Sequence, residues 1–80
     1  LEGMTILNNN KLFVNIGKNQ GLYNRQIGII KSDFNNSFLK KSQSIVLYVS
    51  DVSGNKSRLT PLNDNVDITQ LNKMKIKFVE

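Results

Sequence analysis

Few side chains in this 80-residue chain can do acid–base or nucleophilic chemistry. There is no cysteine and no histidine, so a thiolate nucleophile, a disulfide, a thiolate metal site and the commonest general base are all absent. What remains is Asp33, Asp51, Asp64 and Asp67, two glutamates and the lysines. Most of the aspartates sit beside Asn, Ser or Gly, where Asp is expected as a turn or cap residue. The stretch Asp51-Val52-Ser53-Gly54-Asn55 lacks the regular oxygen spacing of a calcium loop. Gly17 to Gly21 is too short for a phosphate-binding loop and lacks its Gly-Lys-Ser/Thr. The sequence therefore reads as a non-enzyme that needs no cofactor and no metal.

Charge is the stronger signal. Eleven Lys and Arg stand against six Asp and Glu, a net +5. On one small domain that is a sizeable positive field, suited to a polyanion such as nucleic acid. Lys11, Lys18, Arg25, Lys31, Arg58, Lys73, Lys75 and Lys77 supply it, and Phe13 and Tyr48 are the aromatics positioned to share a surface with them. The longest apolar run, Ile45 to Val49, is far too short to span a membrane, and no membrane partner is expected. Hydrophobic residues make up 39%, enough for a globular core rather than a disordered segment.

The elements that would position these residues follow from hydropathy spacing. Leu1-Glu2-Gly3 resembles a tag remnant, and residues 4–10, polar and Asn-rich, read as a lead-in, so residues 1–10 are set apart from a single domain over 11–80. Leu12, Val14 and Ile16 alternate with Phe13 and Asn15, a half-buried strand followed by a turn at Gly17 to Gly21. Residues 24–35 fit two patterns. Asn24 as a cap with Ile27, Ile30 and Phe34 on one face makes a helix; the rival is a strand pairing 26–31 with 11–18. Gly28 and Ile29-Ile30 oppose the helix, which is nonetheless the reading taken. Residues 36–43 read as a polar loop carrying Lys40-Lys41. Ser44 to Val52, apolar on both faces, is a central strand. Asp51 to Asn55 turns it into a hairpin partner over 56–62, with Pro61 at its end. Val66 to Leu71 reads as a short helix capped by Asp64 or Asn65. Met74, Ile76 and Phe78 alternate with Lys73, Lys75 and Lys77, a one-sided final strand. The order βαββαβ is an α+β, RRM-like split sheet with helices on one face.

Leu12-Phe13-Val14-Asn15-Ile16-Gly17-Lys18-Asn19-Gln20-Gly21-Leu22, followed by Ile27-Gly28-Ile29-Ile30, resembles the opening of the DbpA-type RNA-binding domain that follows the motor core in bacterial DEAD-box RNA helicases. The specific match covers residues 12–30. Ser44 to Asp51 lacks the family's glycine, and residues 56–61 lack its aromatics. The resemblance implies an RRM-like fold, a cytoplasmic setting, helicase core domains elsewhere in the parent chain, and an accessory module that anchors the helicase to structured RNA. Phe13 and Tyr48 would then stack bases on the open sheet face, with Lys18, Arg25, Arg58, Lys75 and Lys77 holding phosphates. If residues 24–35 are instead a strand, the chain is all-β, and an immunoglobulin-like or phage-baseplate-like structural or adhesion module with no nucleic-acid role is expected.

Overall fold

The computed structural model describes residues 1–31 and 44–79. Six strands form a closed antiparallel barrel: β1 (Glu2–Asn8), β2 (Lys11–Val14), β3 (Ile27–Lys31), β4 (Ser44–Val52), β5 (Ser57–Pro61) and β6 (Lys75–Phe78). Around the barrel the order is β1-β2-β5-β4-β3-β6, and β6 returns to β1 through Glu2 opposite Lys77 and Met4 opposite Lys75.

This overturns the α+β, RRM-like expectation and agrees with the all-β alternative, as a barrel rather than a sandwich. Among the described residues there is no α-helix, only two three-residue 3-10 turns, Lys18–Gln20 and Ile68–Gln70. An RRM-like sheet needs helices to cover one face; a sheet that closes on itself covers its own inner face and leaves no open sheet. The part of the expected 24–35 helix that is described is turn and strand. Arg25 takes φ 69°, which breaks a helix at its start, and β-branched Ile29 and Ile30 favour the strand. Asn24 caps no helix; its side-chain oxygen accepts from the Val52 N–H at 3.1 Å. Gly28 is explained by packing. A Cβ there would meet Ile76 Cδ1 at 2.7 Å and Phe78 Cε1 at 2.8 Å, so β6 fills the space its side chain would take. β2 pairs with β1 and β5, so the rival 11–18/26–31 hairpin does not form either. The expected helix over 66–71 shrinks to the Ile68–Gln70 turn, capped by Asp67 rather than Asp64 or Asn65. Asp33, Phe34 and Lys40-Lys41 lie outside the described residues.

The segment read as a lead-in is mostly β1. Asn9 and Asn10 take φ 51° and 61°, the two-residue turn with both central residues left-handed that matches strand twist, and Asn tolerates it well. The hairpin of β4 and β5 forms with Pro61 as its last residue.

Alternate residues of each strand fill the barrel. Leu12, Val14, Ile30, Leu47, Val49, Leu59, Ile76 and Phe78 make the core, completed by Leu22 and Leu71 from loops. Each buried side chain of this size contributes about 1.5–3 kcal/mol. Between Val49 and Asp51 the register of β4 on β5 slips by one residue, a β-bulge. Before it, Ile45, Leu47 and Val49 face inward; after it, Val52 packs against the core and Asp51 is exposed. The bulge thus turns Asp51 outward, where strict alternation from Val49 would point it into the core.

Two contacts lock the barrel. Thr5 is fully buried on β1. Its hydroxyl donates to the Leu71 carbonyl and accepts from the Met74 N–H at 2.7 Å. Its backbone N–H donates to Met74 and its carbonyl accepts from Lys73, at 2.8 and 2.9 Å. Elsewhere the turn after β2 interlocks with the β4–β5 turn. The Lys18 N–H donates to Ser53 O at 2.7 Å and the Asn19 N–H to Gly54 O at 2.9 Å. A Cβ on Gly17 would lie 2.0 Å from Ser53 O, a backbone atom that cannot step aside.

Replacing Thr5 with Val keeps the shape but leaves the Leu71 carbonyl and Met74 N–H without the hydroxyl. Urea unfolding is expected to show a loss of about 1–3 kcal/mol, with Thr5→Ser retaining most of the stability. Gly17→Ala is expected to cost about 1–3 kcal/mol or more by forcing the two turns apart, read as a lower urea midpoint.

Candidate polyanion-binding groove

On the outside of the barrel, β2 and β5 run side by side with Phe13 directly opposite Arg58 and Val14 opposite Ser57. Because Leu12 and Val14 point into the core, Phe13 and Lys11 point out. On β5 the same alternation buries Ser57 and Leu59 and turns Arg58 outward. The β4–β5 turn brings Lys56 back over this surface, its Nζ 4.3 Å from the Phe13 ring centroid, a cation–π contact. The bulge delivers Asp51 to the same place. Lys11, Phe13, Asp51, Ser53, Lys56 and Arg58, with the buried Ser57, line one groove of about 370 Å³. Three cations and one carboxylate around a half-buried ring make the groove net positive. Its size falls at the low end of the roughly 300–1,000 Å³ of small-molecule sites. Among the described residues no group of three Asp or Glu could hold a metal ion.

The structure brings together some of the sequence candidates and separates others. Phe13 and Arg58 are cross-strand neighbours in the groove, with Lys11 beside them. Lys18 and Arg25 are exposed on turns, their backbone N–H groups committed to Ser53 and Val49. Tyr48 is half-buried on the outer face of β4, opposite Ile27 and Thr60, and does not line the groove. Lys75 and Lys77 share the outer face of β6, where Glu2 of β1 pairs with both, at 3.2 and 3.5 Å. The hydrogen bond from Lys75, foremost, with the charges of both lysines, holds the Glu2 carboxyl below its ordinary range. That carboxylate offsets part of the positive field the two lysines would offer a phosphate.

Two groove residues escaped the sequence reading. Lys56 counted there only as the start of a strand, and its seat on Phe13 follows from the β2–β5 pairing. Asp51 read as a turn residue, and the bulge that exposes it has no local signature beyond Ser50 between two inward-facing valines of unequal phase. Asp67, expected inside a short helix, instead caps the Ile68–Gln70 turn: it accepts from the Thr69 hydroxyl at 2.5 Å and its N–H at 3.0 Å, which lowers its pKa.

No family model, curated protein or solved structure matches the chain.

The Glu2 clasp has a pH signature. A carboxylate whose folded pKa is lowered adds stability above its ordinary value of 4.5, and that contribution is lost as pH falls through the lowered value. Glu2 is exposed, so the effect on stability is small. A carboxyl-detected NMR titration is expected to place the Glu2 midpoint below that of a model glutamate, and Lys75→Ala to move it back up.

Proposed function

We propose that this barrel is a non-catalytic, all-β module that grips an anionic partner through the groove between β2 and β5. The observation that carries the reading is the convergence of Lys11, Lys56 and Arg58 on one concave surface around Phe13. These cations come from two strands and a turn, and with one carboxylate among them they concentrate part of the chain's +5 net charge. Two carboxylates away from the groove are committed to structural contacts. Glu2 is held by lysines and Asp67 by Thr69, so neither is poised for proton transfer in a shared cleft. Anchoring a helicase by an open RRM-like sheet forms no part of this reading, because that sheet does not exist in the barrel.

A structural role without nucleic acid is the second reading, and one feature favours it. Met4 and Ile6 face outward on β1, exposed at 47% and 38%, and Ile6 lies opposite Phe13. An apolar strip beside a groove also suits a protein neighbour in an assembly.

Fluorescence anisotropy with labelled RNA, polyphosphate and poly-glutamate, from about 50 to 200 mM salt, separates the two. Affinity is expected to fall steeply with salt, and replacing Lys11 and Arg58 with Ala together is expected to flatten the log–log slope by about 2 for an RNA probe. Binding of none of these probes at the lowest salt, or a double variant with the wild-type slope and affinity, overturns the groove as an anion site and leaves the structural reading.

A further inference from the structure

The groove holds more than an anion grip requires. A site for bare negative charge gains nothing from a carboxylate on its wall or from an aromatic floor, yet the fold places both. Phe13 is set by its register with Arg58, and Asp51 is turned out by the bulge in β4. We propose that the groove binds single-stranded nucleic acid, with a base replacing Lys56 on the Phe13 ring, Asp51 accepting a hydrogen bond from the base edge, and Lys11, Lys56 and Arg58 on the flanking phosphates. This rests on the reading that the groove takes an anionic partner, and narrows it to one class.

The exchange on the ring is favourable by magnitude. An exposed cation–π contact such as Lys56 on Phe13 contributes about 0.5–1 kcal/mol. A base stacked on an aromatic side chain contributes about 1–3 kcal/mol. The displaced ammonium is not lost, because it sits beside the groove and becomes one more phosphate ligand. Lys56 thus screens the ring while the groove is empty and adds charge when it is filled. Among the described residues the ion pairs are those of Glu2, so neither Asp51 nor Arg58 is held by one. A carboxylate accepts well from the cytosine amino group, as it does in base-edge readout generally. In a duplex the bases are stacked on one another and offer Phe13 no free face. Single strands are therefore preferred, and cytosine over uracil, two bases of equal size.

The intact chain is titrated with a labelled oligocytidine 12-mer, an oligouridine 12-mer, an RNA duplex of the same length and poly-glutamate. Oligocytidine is expected to bind most tightly. Phe13→Leu is expected to weaken it roughly 5- to 150-fold, the equivalent of one lost stack. Phe13→Tyr, which keeps a stacking ring, is expected to retain binding. Asp51→Asn is expected to abolish the preference for oligocytidine over oligouridine, where a pure charge site would bind both more tightly once the carboxylate is gone. Thermal unfolding of each variant verifies the barrel; if Phe13→Leu unfolds, Phe13→Tyr and Asp51→Asn still decide. Three results overturn the proposal while leaving the anion grip intact: duplex bound as tightly as single strand, poly-glutamate bound as tightly as RNA, or equal tightening of both oligomers by Asp51→Asn. Failure of every probe to bind overturns the underlying anion reading instead.

Discussion

A single buried threonine joins the two ends of the fold. Thr5 sits in the middle of β1 and is reached by the segment that leads into β6. Its hydroxyl and both its backbone groups are engaged by Leu71, Lys73 and Met74. A buried hydroxyl without partners is costly, and satisfied ones specify a unique arrangement. Here the donors and acceptors fit only when β6 lies against β1 in one register. That register sets Glu2 opposite Lys77, seats Ile76 and Phe78 over Gly28, and so closes the last gap between β6 and β3.

Closure divides the work between the two faces. Inward positions are used up by the core, so recognition is left to outward positions and to turns. The groove uses both. Phe13 and Arg58 belong to rigid paired strands, Lys56 to a turn pinned by the neighbouring loop through Ser53, Gly54 and Asn55. The bulge reconciles the two demands in β4. It lets one strand bury Leu47 and Val49, return Val52 to the core, and still present a carboxylate outside.

What could be read from the chain was whatever depended on neighbours in sequence. Met74, Ile76 and Phe78 against Lys73, Lys75 and Lys77 describe a one-sided strand, and Lys75–Phe78 forms one, with Lys73 in the left-handed turn before it. The β4–β5 hairpin follows from the apolar strand over Ser44 to Val52 and the turn signals of Asp51 to Asn55. The misreadings came where local spacing is degenerate. Ile27 and Ile30 fit a helix face; only Ile76 and Phe78, far along the chain, explain the glycine between them. Residues 4–10 look like a linker because asparagine dominates the eye. In fact Asn9-Asn10 is a hairpin turn, and Thr5 and Leu7 alternate into the barrel around it. Of the site, Phe13, Lys11 and Arg58 were visible as types. Their meeting was not, since it needs β2 and β5 to be neighbours, and neither Lys56 nor Asp51 announces its role without that pairing.

The seam between β1 and β6 also sets the order of events in folding. Glu2 pairs with Lys77, residues from opposite ends of the chain. Joining such distant positions carries a loop-closure cost that must be met before the contacts repay it, so the seam belongs to the slow, late steps. Until β6 pairs with it, β1 has one edge unpaired. An unpaired strand edge is where chains adhere to one another. Pairing with β6 is what removes that open edge from the finished barrel.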